Sequence, residues 1–309
     1  MSTEQAPKYP QPGAVAPLYR IGIDGGGSGT RARLVDAKGR TLGEGHSGAS
    51  GLSQGIEQAW RHIGQAVQQA VQASGLSGPM APSHANTGLG LGLAGANNRL
   101  LHAQFMQANP GYQSLRLASD GHTTLLGAHG GAPGAVIAVG TGSVGLARLT
   151  DGQIRSVGGW GFPSGDDGSG ALLGLRAMNW TQQVQDGMHA NGPMAQAVLQ
   201  ATGGQRAAML EWCCAAGQNR FASLAPLVFD CAGHDPAAAA LLADAVQCVE
   251  RIALALDPTQ ALPLALMGGI GRLLTSRLPP DLQMRLVPPL GDAMYGALLL
   301  ITLPENPHE

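Results

Sequence analysis

Charged and aromatic side chains are both scarce in this chain. Asp, Glu, Lys and Arg together make up 12% of its 309 residues, against roughly 25% in an average soluble domain. Aromatic residues make up 4%, and the formal net charge at pH 7 is -2. Surfaces that bind nucleic acid cluster basic residues on one face, and this chain has no basic run. We therefore expect no nucleic-acid partner.

Long apolar runs are missing as well. The stretches Leu262–Met267 and Ala297–Leu303 fall far short of the roughly 18 apolar residues that a transmembrane helix needs. Residues 1–18, rich in Pro, Gln and Ala, lack the basic start and apolar core of a signal peptide. We expect a flexible tail there, no membrane association and a cytoplasmic location.

Disulfide and metal patterns are absent too. The cysteines Cys213, Cys214, Cys231 and Cys248 form no C-x-x-C pair, and the nine histidines show no H-E-x-x-H spacing. We predict reduced, mostly buried thiols and no structural metal site.

A pattern of strand, glycine turn, strand, hairpin and strand occurs twice. Its first copy has strands at Tyr19–Asp24, Arg31–Val35 and Arg40–His46, and its second at Ala135–Val139, Val144–Leu149 and Gln153–Gly158. Helical periodicity follows each copy, and the second carries a helical insert from Ala171 to about Gln260, before a buried strand at Leu264–Met267. The repeat predicts a duplicated α/β architecture whose two glycine turns face a common cleft.

The two glycine turns favour phosphate binding. A polyphosphate needs backbone N–H groups within hydrogen-bonding distance, and glycine removes the obstructing side chain and adopts positive φ freely. Asp24 enters the first turn, where a carboxylate can hold the Mg²⁺ that accompanies ATP. The alternative is that the glycines only close hairpins. Two turns at equivalent points of a repeat favour the phosphate interpretation.

Other nucleotide motifs fit less well. The chain has no G-x-x-x-x-G-K-[ST] sequence, which excludes a P-loop enzyme. The pattern G-x-G-x-x-G occurs at Gly90–Gly95 and Gly140–Gly145. The second copy leads into a strand, whereas a dinucleotide-binding loop must open a helix. The first copy precedes a predicted helix and leaves a nicotinamide-dependent oxidoreductase open as an alternative.

A series of short motifs runs through the chain in a fixed order. They are Asp24-Gly25-Gly26-Gly27-Ser28, Gly92-Leu93-Ala94-Gly95, Ser119-Asp120-Gly121, Val139-Gly140-Thr141-Gly142-Ser143, Gly158-Gly159-Trp160-Gly161, Gly165-Asp166-Asp167-Gly168-Ser169 and Met267-Gly268-Gly269-Ile270. The series resembles the BadF/BadG/BcrA/BcrD ATPase family and, within it, the N-acetylglucosamine kinases, which belong to the actin, hexokinase and heat-shock-protein-70 ATPase superfamily. The resemblance extends from about Tyr19 to about Leu303. It implies an α/β fold of two duplicated ribonuclease H-like lobes with an inter-lobe cleft, an N-terminal lobe over residues 19–118 and a C-terminal lobe over 119–309, with the last helix packing back on the first lobe.

The resemblance also implies a role for each matched residue. Asp120 matches the catalytic carboxylate, the base that also contacts the sugar hydroxyl, and Asp24 would serve Mg²⁺ directly or through water. The phosphates of ATP would contact Gly25, Gly26, Gly27, Ser28, Gly140, Thr141 and Gly142, and the nucleoside Gly268, Gly269, Gly291 and Ala293. The sugar would contact Gly159, Trp160, Gly161 and Asp166.

Several positions keep a second interpretation. Asp120 follows a strand and can cap a helix N-terminus, Trp160 can be a core aromatic, and Asp167 can replace Asp166 as the sugar ligand. The family's sugar-binding asparagine is absent from residues 48–52. Ser50, Ser53 or backbone groups would have to replace it.

The function expected from the resemblance is ATP-dependent phosphorylation of an amino sugar, N-acetylglucosamine on O6, by a homodimer. Three alternatives remain. The first is a glucosamine kinase. The second is an ATPase activator that uses cysteines to hold an iron–sulfur cluster, although none of the cysteines here lies near a glycine turn. The third is a sugar-sensing regulator without turnover.

Overall fold

The computed structural model describes residues 17–303, with Met80 described by its backbone alone. The predicted tail lies almost wholly outside this range. The strands are β1 (Tyr19–Gly25), β2 (Thr30–Asp36), β3 (Thr41–Ser47), β4 (Thr87–Leu93), β5 (Ser114–Ala118), β6 (Gly134–Val139), β7 (Ser143–Arg148), β8 (Ile154–Gly158) and β9 (Leu264–Met267). The helices are α1 (Ile56–Ser74), α2 (Arg99–Gln107), α3 (Asp120–His129), α4 (Gly170–Gln185), α5 (Pro193–Ala201), α6 (Arg206–Cys214), α7 (Gln218–Ala222), α8 (Ala225–Cys231), α9 (Pro236–Leu256), α10 (Gly269–Leu274), α11 (Pro280–Met284) and α12 (Ala293–Thr302).

The described chain divides into two compact units. The first comprises residues 17–132 and 289–303, and the second comprises residues 133–288. This division differs from the predicted boundary after residue 118, because α3 packs within the first unit, against β4 and α12. The last helix, α12, packs on β1 and β4 of the first unit.

The duplication predicted from the sequence is visible in the sheets. The first unit has the strand order β3-β2-β1-β4-β5, and the second has β8-β7-β6-β9. In both, the hairpin strands pair antiparallel and the strand beyond the helices pairs parallel with the first strand. Where the second sheet has no fifth strand, Leu286 makes a single parallel bridge to Leu264 of β9. The mixed α/β, two-lobe fold class is therefore confirmed.

Alternating leucine and glycine explain how β4 is covered on both faces. Leu89, Leu91 and Leu93 belong to the apolar core shared with α1 and α2. On the other face, a Cβ at Gly90 would lie 1.9 Å from the Ala297 carbonyl oxygen of α12, and one at Gly92 would lie 1.9 Å from Thr123 Oγ1 of α3. The glycines thus let two helices approach the strand closely. The G-x-G-x-x-G match at residues 90–95 lies largely in a strand and does not open a helix, so the oxidoreductase alternative loses its motif.

Helices α3 and α12 cross at two glycines, and the crossing leaves no room for a side chain. A Cβ at Gly296 would lie 1.7 Å from the Thr123 carbonyl oxygen. Gly296→Ala should therefore lower the free energy of unfolding by about 3 kcal/mol or more, since overpacking against backbone cannot relax through a rotamer change. Urea denaturation measures the effect. The matched control is Gly64→Ala in α1, where nothing lies within 4 Å of the added Cβ and a gain of up to about 1 kcal/mol is expected. Equal unfolding midpoints for the two variants would contradict the close crossing.

The helical insert predicted after residue 171 forms α4 to α9. Its core is separate from that of the second sheet and includes Met178, Met194, Phe221 and Leu242. Over residues 17–303, no helix combines the length and apolar character needed to cross a bilayer. All four cysteines are free thiols; Cys231 and Cys248 are buried, whereas the other two are partly or fully exposed.

Candidate active site

The first glycine turn joins β1 to β2 in the first unit. The Gly26 N–H donates to the Gly29 carbonyl at 3.0 Å, and the N–H groups of Ser50 and Gly51 donate to the Gly26 carbonyl at 3.1 Å each. Among the described residues, no acceptor faces the N–H groups of Gly27 and Ser28. Two backbone donors at the tip of this turn are thus available to an anion.

The glycines of this turn are explained by the room that a side chain would need and not by an unusual backbone conformation. Gly25, Gly26 and Gly27 all lie outside the positive-φ region, contrary to the conformational part of the sequence argument. A Cβ at Gly25 would lie 2.1 Å from Ser50 Oγ, so this glycine accommodates the protein itself. A Cβ at Gly26 would meet nothing within 4 Å, and one at Gly27 only Gln54 Nε2 at 3.9 Å. A side chain at these two positions would therefore enter open space.

The second glycine turn joins β6 to β7 in the second unit and repeats this arrangement. The Gly140 N–H donates to the Gly142 carbonyl at 2.9 Å, and a Cβ at Gly140 would meet nothing within 4 Å. The N–H groups of Thr141 and Gly142 have no acceptor among the described residues. Gly170 and Ala171, at the start of α4, donate to the Gly140 and Thr141 carbonyls at 2.8 and 3.1 Å. The helix N-terminus therefore holds the turn in place.

Asp24 lies at the end of β1, directly before the first turn. It faces Arg31 of β2 in the antiparallel register, and Arg31 Nη2 lies 2.5 Å from Asp24 Oδ2. No cluster of three or more potential metal ligands occurs over residues 17–303. Mg²⁺ in nucleotide sites usually keeps several waters and binds one or two carboxylates together with substrate phosphates. A single carboxylate beside the free amides of the turn fits that kind of metal binding.

Asp120 is the first residue of α3, immediately after β5. Ser119 caps this helix, since its Oγ accepts from the His122 N–H at 3.2 Å. Within residues 17–303, the one hydrogen bond to Asp120 Oδ1 comes from the adjacent Gly121 N–H, at 2.9 Å. The structure therefore assigns the N-cap to Ser119, while the Asp120 carboxylate accepts from the first-turn N–H of Gly121.

The electrostatic environment of Asp120 favours proton acceptance. Although the residue keeps exposed surface, burial raises the pKa of its carboxyl above the usual value for Asp, the bond from Gly121 opposes the shift, and the charge of Asp24 adds to it. A carboxylate with a raised pKa is a stronger base.

Asp166 and Asp167 lie in different environments in the second unit. Asp166 is buried, with 6% of its surface exposed, and its Oδ2 accepts from Gln218 Nε2 at 2.8 Å. It lies beside the second glycine turn, because a Cβ at Gly142 would come within 2.7 Å of Asp166 Oδ2. Asp167 is exposed, and its carbonyl accepts from Ser143 Oγ at 2.7 Å.

Trp160 lies on the surface of the second unit. It is 85% exposed, so it is not a core aromatic. Gly158, Gly159 and Gly161 around it have φ of 75°, 71° and 85°, values that favour glycine. The glycines thus shape a loop that presents the indole ring to solvent.

The residues expected to hold the nucleoside are divided between the two units. Gly268 and Gly269 open α10 of the second unit; Gly268 has φ of 85°, and its Cβ would lie 2.2 Å from the Val139 carbonyl oxygen. Gly291 and Ala293 flank Asp292, the N-cap of α12 in the first unit. A Cβ at Gly291 would lie 2.3 Å from the Tyr295 ring, and Ala293 is buried.

Residues 48–52, where the resemblance led us to expect an asparagine, lie after β3 and bond to the first glycine turn. Thr30 Oγ1 lies 2.6 Å from the Gly48 carbonyl oxygen and 2.7 Å from Ser50 Oγ, and Ser50 is fully buried. Its hydroxyl therefore supports the turn and is not exposed to a ligand. Ser53 is exposed. It therefore stays a candidate to replace the sugar-binding asparagine.

Two further side chains bond candidate carboxylates: Arg31 bonds Asp24, and Gln218 bonds Asp166. Arg31 was predictable from the sequence, because antiparallel pairing across the four-residue turn 26–29 places it opposite Asp24. Gln218 carries no sequence signal, since it lies in the helical insert, 52 residues from its partner.

A family model relates the sequence of this chain to known proteins. The model of the BadF/BadG/BcrA/BcrD ATPase family matches residues 21–274. The chain belongs to this family. The resemblance deduced from the motif series is thus confirmed.

Individual relatives extend over nearly the whole chain. A glucosamine kinase of Vibrio cholerae is 36% identical over 290 residues, which cover 93% of this chain and 97% of that protein. The solved structure of a candidate N-acetylglucosamine kinase from Chromobacterium violaceum is 48% identical, with a TM-score of 0.84 and coverage of 92% of this chain and 99% of the other. A glucokinase of the ROK family from Streptomyces griseus, solved with glucose and AMPPNP, shares the fold at 15% identity and a TM-score of 0.51, over 92% of this chain and 99% of its own.

Proposed function

We propose that this protein is an ATP-dependent amino-sugar kinase that phosphorylates N-acetylglucosamine on its 6-hydroxyl. The observation that carries the proposal is the pair of glycine turns with free N–H groups, one of them beside Asp24. Family membership and the relatives that act on amino sugars support it.

In the first unit, the N–H groups of Gly27 and Ser28 would bind phosphate oxygens, and Asp24 would hold Mg²⁺. MgATP supplies the γ-phosphoryl group with its charge partly neutralised. Asp120 would orient the sugar hydroxyl and accept its proton as the oxygen attacks phosphorus. The raised pKa of Asp120 suits this step, because it increases the affinity of the carboxylate for that proton.

In the second unit, the amides of Thr141 and Gly142 would bind phosphate oxygens. Asp166 and the loop around Trp160 would bind the sugar. Asp166 is favoured over Asp167 because its carboxylate is fixed by a protein donor, whereas Asp167 is exposed. Homodimer formation and a cytoplasmic location stay predictions from the family resemblance.

The exposed ring of Trp160 can contact the nitrogen substituent of either amino sugar. An indole face packs against an acetyl methyl group and also attracts an ammonium, so the preference for N-acetylglucosamine rests on the family resemblance of the segment 159–161. Glucosamine is the second candidate because the Vibrio cholerae relative is a glucosamine kinase.

A substrate panel tests the proposal. With MgATP, ADP release coupled to detection of the sugar phosphate should give a kcat/KM for N-acetylglucosamine about tenfold or more above that for glucosamine, the usual value of one well-packed apolar group. Glucose and N-acetylmannosamine are the comparison sugars. A higher kcat/KM for glucosamine would establish the second candidate instead. ADP release without any sugar phosphate would overturn the kinase proposal.

A further inference from the structure

The amide side chain of Gln218, in the helical insert, contacts Asp166, the residue proposed to bind the sugar. Gln218 is the first residue of α7 in the helical insert, and its Nε2 donates to Asp166 Oδ2 at 2.8 Å. Oδ1 of Asp166 accepts no hydrogen bond from the described residues. One carboxylate oxygen is therefore fixed by the protein, and the other remains for a ligand.

The short helix α7 is itself held rigidly. A Cβ at Gly174 of α4 would lie 1.9 Å from the Phe221 carbonyl oxygen, so the two helices meet backbone to backbone. The Phe221 ring also packs against Phe162, with the ring centroids 5.6 Å apart, and edge-on against Trp212 at 5.3 Å. Since Phe162 lies two residues after Trp160, the same helix supports both halves of the proposed sugar-binding loop.

The backbone of Asp166 shows why this support is needed. Asp166 has φ of 63°, a left-handed conformation that costs free energy in a residue other than glycine and persists only when its surroundings impose it. Its carboxylate is buried beside the second glycine turn. Without a fixed donor, a buried carboxylate in a strained backbone would lose its orientation.

We propose that Gln218 is a positioning residue for the amino-sugar subsite, which orients the Asp166 carboxylate so that its second oxygen faces a sugar hydroxyl. The inference rests on the proposed kinase function. It makes the helical insert a determinant of sugar affinity through α7.

Gln218→Ala tests the proposal because it should change the KM for the amino sugar and not the KM for ATP. We expect KM for the amino sugar to rise about tenfold or more, the effect of losing one charge-assisted hydrogen bond, while KM for ATP stays within about twofold and the melting temperature hardly changes. Asn219→Ala is the matched control, because this neighbouring amide on α7 is exposed and makes no side-chain hydrogen bond within the described structure. Equal sugar KM values for wild type and Gln218→Ala would overturn the proposal.

A double-mutant cycle shows whether Gln218 acts through Asp166. In an Asp166→Asn background, Gln218→Ala should raise the sugar KM far less than it does in the wild type, because the group it orients is already altered. Additive effects, or a fall in melting temperature accompanied by equal changes in both KM values, would mean a merely structural role. Gln218→Glu is nearly isosteric and keeps the helix intact. It should raise the sugar KM more than Gln218→Ala does, because the new carboxylate would repel that of Asp166. Failure of the wild type to phosphorylate any amino sugar would instead overturn the function on which the inference rests.

Discussion

Asp120→Asn should lower kcat by about two to four orders of magnitude, the usual contribution of a positioned general base. The amide is nearly isosteric with the carboxylate but cannot accept the proton of the sugar hydroxyl. ATP affinity and the free energy of unfolding should stay close to wild type, because Ser119 remains the N-cap of α3 and the amide oxygen of the variant can still accept from the Gly121 N–H. Steady-state kinetics, nucleotide titration and thermal unfolding of the same preparation measure the three quantities.

Ser119→Ala is the control with the opposite profile. Loss of the bond from the His122 N–H should cost about 1 kcal/mol of stability, while the Asp120 carboxylate stays in place. If Asp120→Asn retains near-normal kcat, Asp120 is not the base, and Asp166 or Asp167 becomes the next candidate.

The raised pKa of Asp120 gives this prediction a pH signature. Burial disfavours the charged carboxylate, so the protonated and inactive form persists to a higher pH than for an ordinary Asp. The kcat/KM of the wild type should fall as the pH drops through this raised pKa, and the acid limb should lie above the pH range in which solvated Asp side chains titrate.

The sequence predicted the repeated part of the fold because the first strand of each copy, β1 and β6, runs into a glycine turn. The boundary between units was harder to predict. Helix α3 follows β5 directly, and only the glycine faces of β4 and of the α3–α12 crossing show that both helices belong to the first unit. The glycines at residues 88, 90 and 92 indicate in the sequence that helices pack closely on β4. The sequence does not say which helices these are, so it could not place α3 and α12 in the first unit.

The candidate site was predictable where chemistry is local in sequence. Asp24 and the first glycine turn are adjacent along the chain, so their proximity follows from the strand and turn alone. Ser119 and Asp120 are adjacent residues that can both cap a helix, and only the hydrogen bond to His122 distinguishes them. Gln218 meets Asp166 through the packing of α7 on α4, which no periodicity in the sequence encodes.

Gly26→Val should abolish detectable ATP binding while leaving the fold intact. Gly26 lies outside the positive-φ region, so a β-branched residue causes no backbone strain there. Nothing within 4 Å would contact its Cβ, which means that the protein itself tolerates the side chain. The isopropyl group would instead enter the open space at the tip of the turn, and we expect it to obstruct a phosphate that binds the neighbouring Gly27 and Ser28 amides. Isothermal titration with ATP measures the loss.

Two control variants, one at a neighbouring glycine and one at a distant glycine, show whether the loss of ATP binding is specific to Gly26. Gly25→Ala should destabilise the protein, because its Cβ would lie 2.1 Å from Ser50 Oγ. Reduced ATP binding by that variant would therefore indicate misfolding and not a blocked phosphate site. Gly233→Val, between α8 and α9, also meets nothing within 4 Å of its Cβ and should leave both stability and ATP affinity unchanged. If Gly26→Val keeps the ATP affinity of Gly233→Val, the open space at the first turn receives no phosphate, and its glycines serve only to close the β1–β2 hairpin.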